Sequence, residues 1–368
     1  MKIPFNNLRY QYELYQDEYK DAALKVLQSG YYVLGPQVET FEKKFAEYLK
    51  VDYCIGLGSG LDALTLAFSA LGIGKGDEVI VASNSYIACV MGITKNGATP
   101  IFVEPDNFYN IDCNEIEKAI TSKTKAILAV HLYGEPCNMD EITKIAKNHN
   151  LFLVEDCAQC HGGEWNNRKI GSFGDIACFS FYPTKGCGAF GDGGAVATNK
   201  KNIADYIKMM RNYGSKEKYV FEEIGFNSRL DEIQAALLKV KLSHLESLNA
   251  ERAYIAKFYI ENINNKNIIL PLTQCLSQSV WHLFVIRCQN RDNLRQYLSE
   301  NGIGSEIHYP IPPFLNKAYQ YLNINSENYP ITIKYSEEIL SLPLYNGMTQ
   351  EEIEYIITVI NSYKGEKC

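Results

Sequence analysis

No stretch of this chain approaches the roughly 18 uninterrupted apolar residues of a membrane-spanning helix. Its opening residues, Met1 to Asn7, carry no apolar core of signal-peptide length. Positive charge is scarce as well. The 36 Lys and Arg residues are outnumbered by 43 Asp and Glu, a formal net charge of −7, and a general nucleic-acid binder needs a basic face for its phosphate contacts. Neither a membrane nor a nucleic acid is therefore expected as a partner. A small anionic ligand stays compatible if a few basic groups converge locally. The sequence holds no internal repeat and no low-complexity tract. Its 11 cysteines lack the pattern of a disulfide framework, being odd in number, scattered, and often inside apolar runs such as Ile176 to Phe181. The one close pair, Cys157 and Cys160, has no second pair at ligand spacing, so it reads as packing and no metal is expected. These absences together predict a cytosolic protein with reduced thiols.

What is present is an ordinary globular composition, 46% hydrophobic and 21% charged over 368 residues. That length predicts one large and one small domain. Gly35 and Pro36 open a helix to about Lys50, with Val38, Phe41, Phe45 and Tyr48 on one face. A strand over 53–57 leads through Gly58-Ser59-Gly60 into a helix rich in leucine and alanine. Further strands are expected over 78–82, 99–103, 125–130 and 151–155, separated by helix-compatible stretches, which implies an α/β fold with a mainly parallel, doubly covered sheet. Two more runs, 176–181 and 194–198, flank a glycine-dense loop. From 229 to 261 one long proline-free helix is expected, with the domain boundary within it: a large domain over 1–245 and a small α+β domain over 246–368. In the latter, strands are expected over 281–287 and 304–308, and helices over 292–301 and 350–363.

Parallel-sheet proteins bind ligands beyond the carboxyl ends of their strands. Gly58, Ser59 and Gly60 present backbone N–H groups at a helix N-terminus, suited to a phosphate. Asp156 follows an apolar run, where a carboxylate wants a cationic or hydrogen-bonding partner. Lys185 lies in the glycine-dense loop, where its amine could form a Schiff base with an aldehyde.

Longer motifs surround these residues. Val154 to Gly162, Gly171 to Asp175, Phe179 to Lys185, Gly191 to Gly194 and Gly225 to Ala235 resemble, in order, the sugar aminotransferases of the DegT/DnrJ/EryC1/StrS family. The resemblance extends from Gly35-Pro36 to Leu342-Pro343-Leu344. It implies a fold type I pyridoxal 5'-phosphate (PLP) enzyme, similar to aspartate aminotransferase, working as a homodimer with shared sites. By the same resemblance Lys185 holds the cofactor and moves the proton, and Asp156 pairs with the pyridine nitrogen. Gln159 meets the ring hydroxyl and Tyr86 stacks on the ring. Gly58, Ser59, Gly60, Ser180 and Asn227 of the second copy hold the phosphate. Some family members carry histidine in place of this lysine and are dehydratases; Lys185 favours transfer.

For the substrate, Tyr31, Tyr32, Tyr219 and Arg229 match positions that resemble nucleotide-sugar contacts, and an arginine fork suits a diphosphate. His308 and Tyr309, in a proline-rigid turn, are expected to set the hexose. Where relatives often carry histidine after the double proline, this chain has Phe314. His131 is expected to pack rather than to catalyse. The implied reaction transfers an amino group from an amino acid, by analogy L-glutamate, to C3 of a dTDP-linked 3-keto-6-deoxyhexose, for deoxyamino-sugar and lipopolysaccharide synthesis. Alternatives are a 4-aminotransferase, a non-catalytic PLP-binding regulator, and a desulfurase or lyase using Cys187, which has no identifiable activating neighbour.

Overall fold

The computed structural model describes residues 1–274 and 278–365, so the last three residues of the expected small domain lie outside the described residues. A central sheet is built from β1 (Tyr53–Leu57), β2 (Glu78–Ala82), β3 (Thr99–Val103), β4 (Thr124–Val130), β5 (Phe152–Asp156), β8 (Ile176–Ser180) and β9 (Gly194–Thr198). The two-residue strands β6 (Glu164–Trp165) and β7 (Arg168–Lys169) form a small hairpin beside it. The sheet is seven-stranded in the order β1-β9-β8-β5-β4-β2-β3. β3, β2, β4, β5 and β8 run parallel, while β9 is antiparallel to both β8 and β1.

Alternating side chains of these strands enter two different cores. Ile55, Val79, Leu128, Val154 and Val196 belong to one; Cys54, Ile80, Ile127, Leu153 and Ala197 belong to the other. A strand covered on both faces by helices must be apolar on both, hence the near-continuous hydrophobic runs in the sequence. The covering helices include α3 (Pro36–Leu49), α4 (Gly60–Ala70), α5 (Ile87–Thr94), α6 (Cys113–Ala119), α7 (Met139–Asn148) and α8 (Lys201–Met210), preceded by α1 (Leu8–Glu13) and α2 (Gln16–Ser29). α3 buries Val38, Phe41, Phe45 and Leu49 along one face. Its first turn is capped from a distance: the buried Glu232 carboxylate accepts hydrogen bonds from Gly35 N (2.8 Å), Gln37 N (2.9 Å) and Val38 N (2.8 Å). Those groups have no partner inside the helix, and a negative charge suits that end of its dipole.

After the hairpin of β10 (Ser215–Glu217) and β11 (Val220–Phe221) come α9 (Glu232–Ser243) and α10 (Leu245–Asn262). The single helix expected over 229–261 is therefore two. His244 sits between them at φ −109°, ψ 2°. Its ring stacks on Tyr15 at 3.7 Å and its Nε2 lies 3.0 Å from Glu18, contacts to other helices that helix propensity does not register.

The remaining elements are β12 (Phe284–Arg287), α11 (Arg291–Glu300), α12 (Pro330–Glu338), β13 (Ile339–Leu342) and α13 (Gln350–Ser362). A third core gathers residues such as Tyr259, Phe284, Leu298, Leu342 and Ile356. Ile3 joins it, bonding Gly302 and Gly304 through its backbone at 2.8 Å each. The strand expected over 304–308 is not formed. Only Glu306 bridges to Ser341, because Pro310, Pro312 and Pro313 follow at once and cannot extend a ladder without an N–H.

Candidate active site

β4, β5 and β8 end at one cavity of about 700 Å³, with Val130, Asp156 and Ser180 in its wall. Lys185 enters from the loop between β8 and β9. Its ammonium makes no hydrogen bond and no ion pair among the described residues. Burial pushes its pKa down to about 8, opposed by the attraction of Asp156. An amine with an accessible neutral fraction near physiological pH is a competent nucleophile and base. Asp156 faces the same cavity, held at Oδ1 by Ala158 N (3.0 Å) and at Oδ2 by the Cys89 thiol (3.1 Å).

A second anchoring point lies at the start of α4. Ser59 caps the helix by accepting from Asp62 N at 3.1 Å, and Ser59, Gly60 and Ser180 all line the cavity. Gly58 does not line it; its N–H is committed to Ser228 Oγ at 3.0 Å. Free backbone N–H groups at a helix N-terminus suit a phosphate.

Between the two anchors, Tyr86 stands half-exposed at the cap of α5, its ring 4.8 Å from that of Tyr309. Gln159 accepts from Tyr133 N at 2.7 Å and donates to the Tyr309 hydroxyl at 3.0 Å, so its side chain is fixed at the cavity wall. His308 also lines the cavity, bonded to Ser341 Oγ at 2.9 Å. Burial, followed by the nearby Lys185 ammonium, pushes its pKa down to about 4, so its imidazole is neutral.

Five more expected ligand contacts, besides Gly58, lie elsewhere. Tyr31, Tyr32, Tyr219, Asn227 and Arg229 do not line this cavity. Tyr219 is 79% exposed on the β10–β11 hairpin, while Arg229 donates to Asn212 Oδ1 at 3.1 Å. Conversely, Phe5, Asn6, His282 and Glu306 line the cavity without having been singled out. His282 is buried, with Nδ1 lacking a hydrogen-bond partner among the described residues. No periodicity marks such residues; they arrive from distant segments. His131 is fully buried at the cavity wall, accepting from Cys137 N at 3.0 Å.

Phe314 lies outside the cavity, buried against Phe102 and Tyr329. Cys187 is buried and its thiol is pushed up to about 12 by desolvation, which is the wrong direction for a reactive cysteine. Cys157 lies near His131 and Glu155, but the Glu155 oxygens already accept from Gly171, Phe173 and Gly174 N–H groups.

Residues 14–361 match the DegT/DnrJ/EryC1/StrS aminotransferase family. The chain belongs to that family. It is 50% identical over 362 residues to a dTDP-3-amino-3,6-dideoxy-alpha-D-galactopyranose transaminase of Aneurinibacillus thermoaerophilus, covering 98% of this chain and 99% of that one. A dTDP-3-amino-3,4,6-trideoxy-alpha-D-glucose transaminase of Streptomyces venezuelae is 43% identical, covering 98% and 96%. The crystal structure of S. venezuelae DesV superposes with a TM-score of 0.95 at 43% identity and 98% coverage of both chains. As a DegT/DnrJ/EryC1/StrS aminotransferase, the chain has the fold type I architecture expected from its sequence motifs. No helix among the described residues is long and apolar enough to cross a membrane.

Proposed function

We propose that this enzyme uses PLP to move an amino group from an amino acid, L-glutamate, to C3 of a dTDP-linked 3-keto-6-deoxyhexose. The observation that carries the reading is the unpaired, pKa-depressed Lys185 amine facing the Asp156 carboxylate in one cavity. The residues present fit PLP. An amine free to attack an aldehyde, a carboxylate for a pyridinium nitrogen and a helix N-terminus for a phosphate line one space of suitable size. When bound, PLP supplies an electron-withdrawing ring that stabilises charge on the carbon losing its proton.

The chain's own residues do the rest. Lys185 Nζ would hold the cofactor's aldehyde carbon and would serve as the base that moves the proton at the amino-bearing carbon. Asp156 would keep the ring nitrogen protonated. Ser59, Gly60 and Ser180 would hold the phosphate, Tyr86 would cover one ring face, and Gln159 would meet the ring hydroxyl. His308 and Tyr309 orient the hexose, and orientation alone decides which carbonyl reacts. The C3 and dTDP assignments draw support from the two dTDP-3-amino-sugar transaminases at 50% and 43% identity.

The working unit in this reading is a homodimer. Lys185 is the only Lys or Arg lining the cavity among the described residues, beside Asp156, Asp192 and Glu306. A diphosphate needs more positive charge than that. Arg229 and Asn227, with Tyr31, Tyr32 and Tyr219, serve the neighbouring subunit's site. Residues 1–245 then form the cofactor-holding domain and 246–368 the smaller one, in a cytosolic enzyme whose thiols stay reduced.

The test offers dTDP-linked 3-keto- and 4-keto-6-deoxyglucose separately, with glutamate and PLP, and locates the new C–N bond by NMR. Amination of the 3-keto sugar is expected. Turnover of the 4-keto sugar alone overturns the C3 assignment, and absence of any PLP-dependent turnover overturns the aminotransferase reading.

A further inference from the structure

We propose that Cys89 is a positioning residue for Asp156: its thiol fixes the rotation of the carboxylate so that Asp156 presents a constant face to the cofactor's ring nitrogen. The inference rests on the reading of Asp156 as that nitrogen's partner.

The geometry is a two-point hold. Asp156 ends β5 and projects into the cavity. Ala158 N donates to Oδ1 at 3.0 Å, and Cys89 Sγ donates to Oδ2 at 3.1 Å. A carboxylate attached through an sp³–sp² bond has a broad torsional profile and little preference of its own. One hydrogen bond leaves it free to pivot about that contact; two, on different oxygens, fix its plane. Each ionised oxygen has a further lone pair, and those remain for the cavity side.

Cys89 suits this task because it is fully buried, where desolvation and the neighbouring carboxylate push its pKa well up. The thiol therefore keeps its proton and acts as a donor. The Ser85 hydroxyl, 1% exposed, lies beside the sulfur and interacts with it, which partly opposes that rise. A polar group placed there would be costly in a site built only for packing. Cys89 and Tyr86 also share the first turn of α5, where Cys89 N donates to Tyr86 O at 3.0 Å. One helix start thus carries both Tyr86, which would cover the ring, and Cys89, which holds the carboxylate.

The experiment compares wild type with Cys89→Ala, Cys89→Val, Cys89→Ser and Asp156→Asn as PLP-loaded enzymes. It records kcat, KM, the pH dependence of the bound cofactor's absorbance, and thermal stability. Loss of one charge-assisted hydrogen bond is expected to lower kcat by about tenfold in Cys89→Ala and Cys89→Val. The cofactor absorbance should shift toward that of Asp156→Asn, with KM little changed. Cys89→Ser retains a donor and should recover most of both readouts, even if its melting temperature falls. Wild-type kcat and spectra in Cys89→Ala and Cys89→Val, with Asp156→Asn impaired, would reduce the contact to packing and overturn the inference. So would a Cys89→Ser variant as impaired as Cys89→Ala. An unimpaired Asp156→Asn would instead overturn the role of Asp156 on which the inference stands.

Discussion

Gly60 and Ser180 stand in direct contact across the cavity mouth: a β-carbon built on Gly60 would lie 2.6 Å from Ser180 Cβ and 3.1 Å from its Cα. The start of α4 and the end of β8 can approach this closely only without a side chain at 60. Gly60→Ala is therefore expected to cost about 1–3 kcal/mol in urea unfolding of the apoenzyme. It should also weaken PLP binding, measured by fluorescence titration, because the two walls of the proposed phosphate site are forced apart. Unchanged cofactor affinity would argue that the phosphate sits elsewhere.

Lys185 is half deprotonated near pH 8, and only the neutral amine attacks an aldehyde. The rate at which apoenzyme captures PLP should rise between about pH 6 and 8 and level off above about 9. Because burial lowers this lysine's pKa in the folded state, its contribution to stability also grows with pH between the folded value of about 8 and the ordinary lysine value of 10.5. Lys185→Ala should bind PLP without a borohydride-reducible protein bond, which mass spectrometry detects.

The chemistry-bearing half of the site was legible in the sequence because those residues sit at strand and helix ends, where the apolar run stops. Asp156 at the end of β5 and Ser59 before α4 follow that rule, whereas Ser180 at the end of β8 was named through the family resemblance. Asn6 and His282 do not. Asn6 is carried to the cavity by the Ile3 backbone bonds to Gly302 and Gly304, a pairing across most of the chain that no local pattern announces. The break at His244 was hidden for the same reason, its cause lying in Tyr15 and Glu18.

Glu135 illustrates the opposite linkage. It is buried, accepts from Thr273 Oγ1 and Gln274 N at 2.9 Å each, and its pKa is raised by desolvation to about 7. A carboxyl group with a raised folded pKa gives stability that is complete below its unfolded value and lost as pH rises through the folded one. The melting temperature of wild type relative to Glu135→Gln should therefore fall between about pH 5 and 8. A pH-independent difference would mean that the burial is relieved in solution.

Removing the remote cap on α3 should be costly. Glu232→Ala leaves the N–H groups of Gly35, Gln37 and Val38 without their acceptor, a loss on the order of 3 kcal/mol. The urea midpoint reports it. Since Glu232 starts α9, the damage should spread to the contact between α3 and α9.

Chains carrying Lys185→Ala and chains carrying Arg229→Ala, inactive alone, should regain activity when refolded together. In a mixed dimer with shared sites, one site is intact and the other doubly damaged, so up to about one quarter of wild-type specific activity is expected from statistical mixing. No recovery despite demonstrated exchange would mean that each site is built from one chain.

The β10–β11 hairpin shares no ladder with the central sheet, and Tyr219, Val220 and Phe221 on it are exposed. Asp156 and Ser180, in contrast, end strands that neighbours hold in register on both sides. Insertions or replacements in the hairpin therefore leave the amine-transfer apparatus undisturbed. If Tyr219 serves the neighbouring subunit's site as proposed, sugar-nucleotide preference can be altered by rewriting a few protruding side chains while the strand-held Asp156 and Ser180 stay in place.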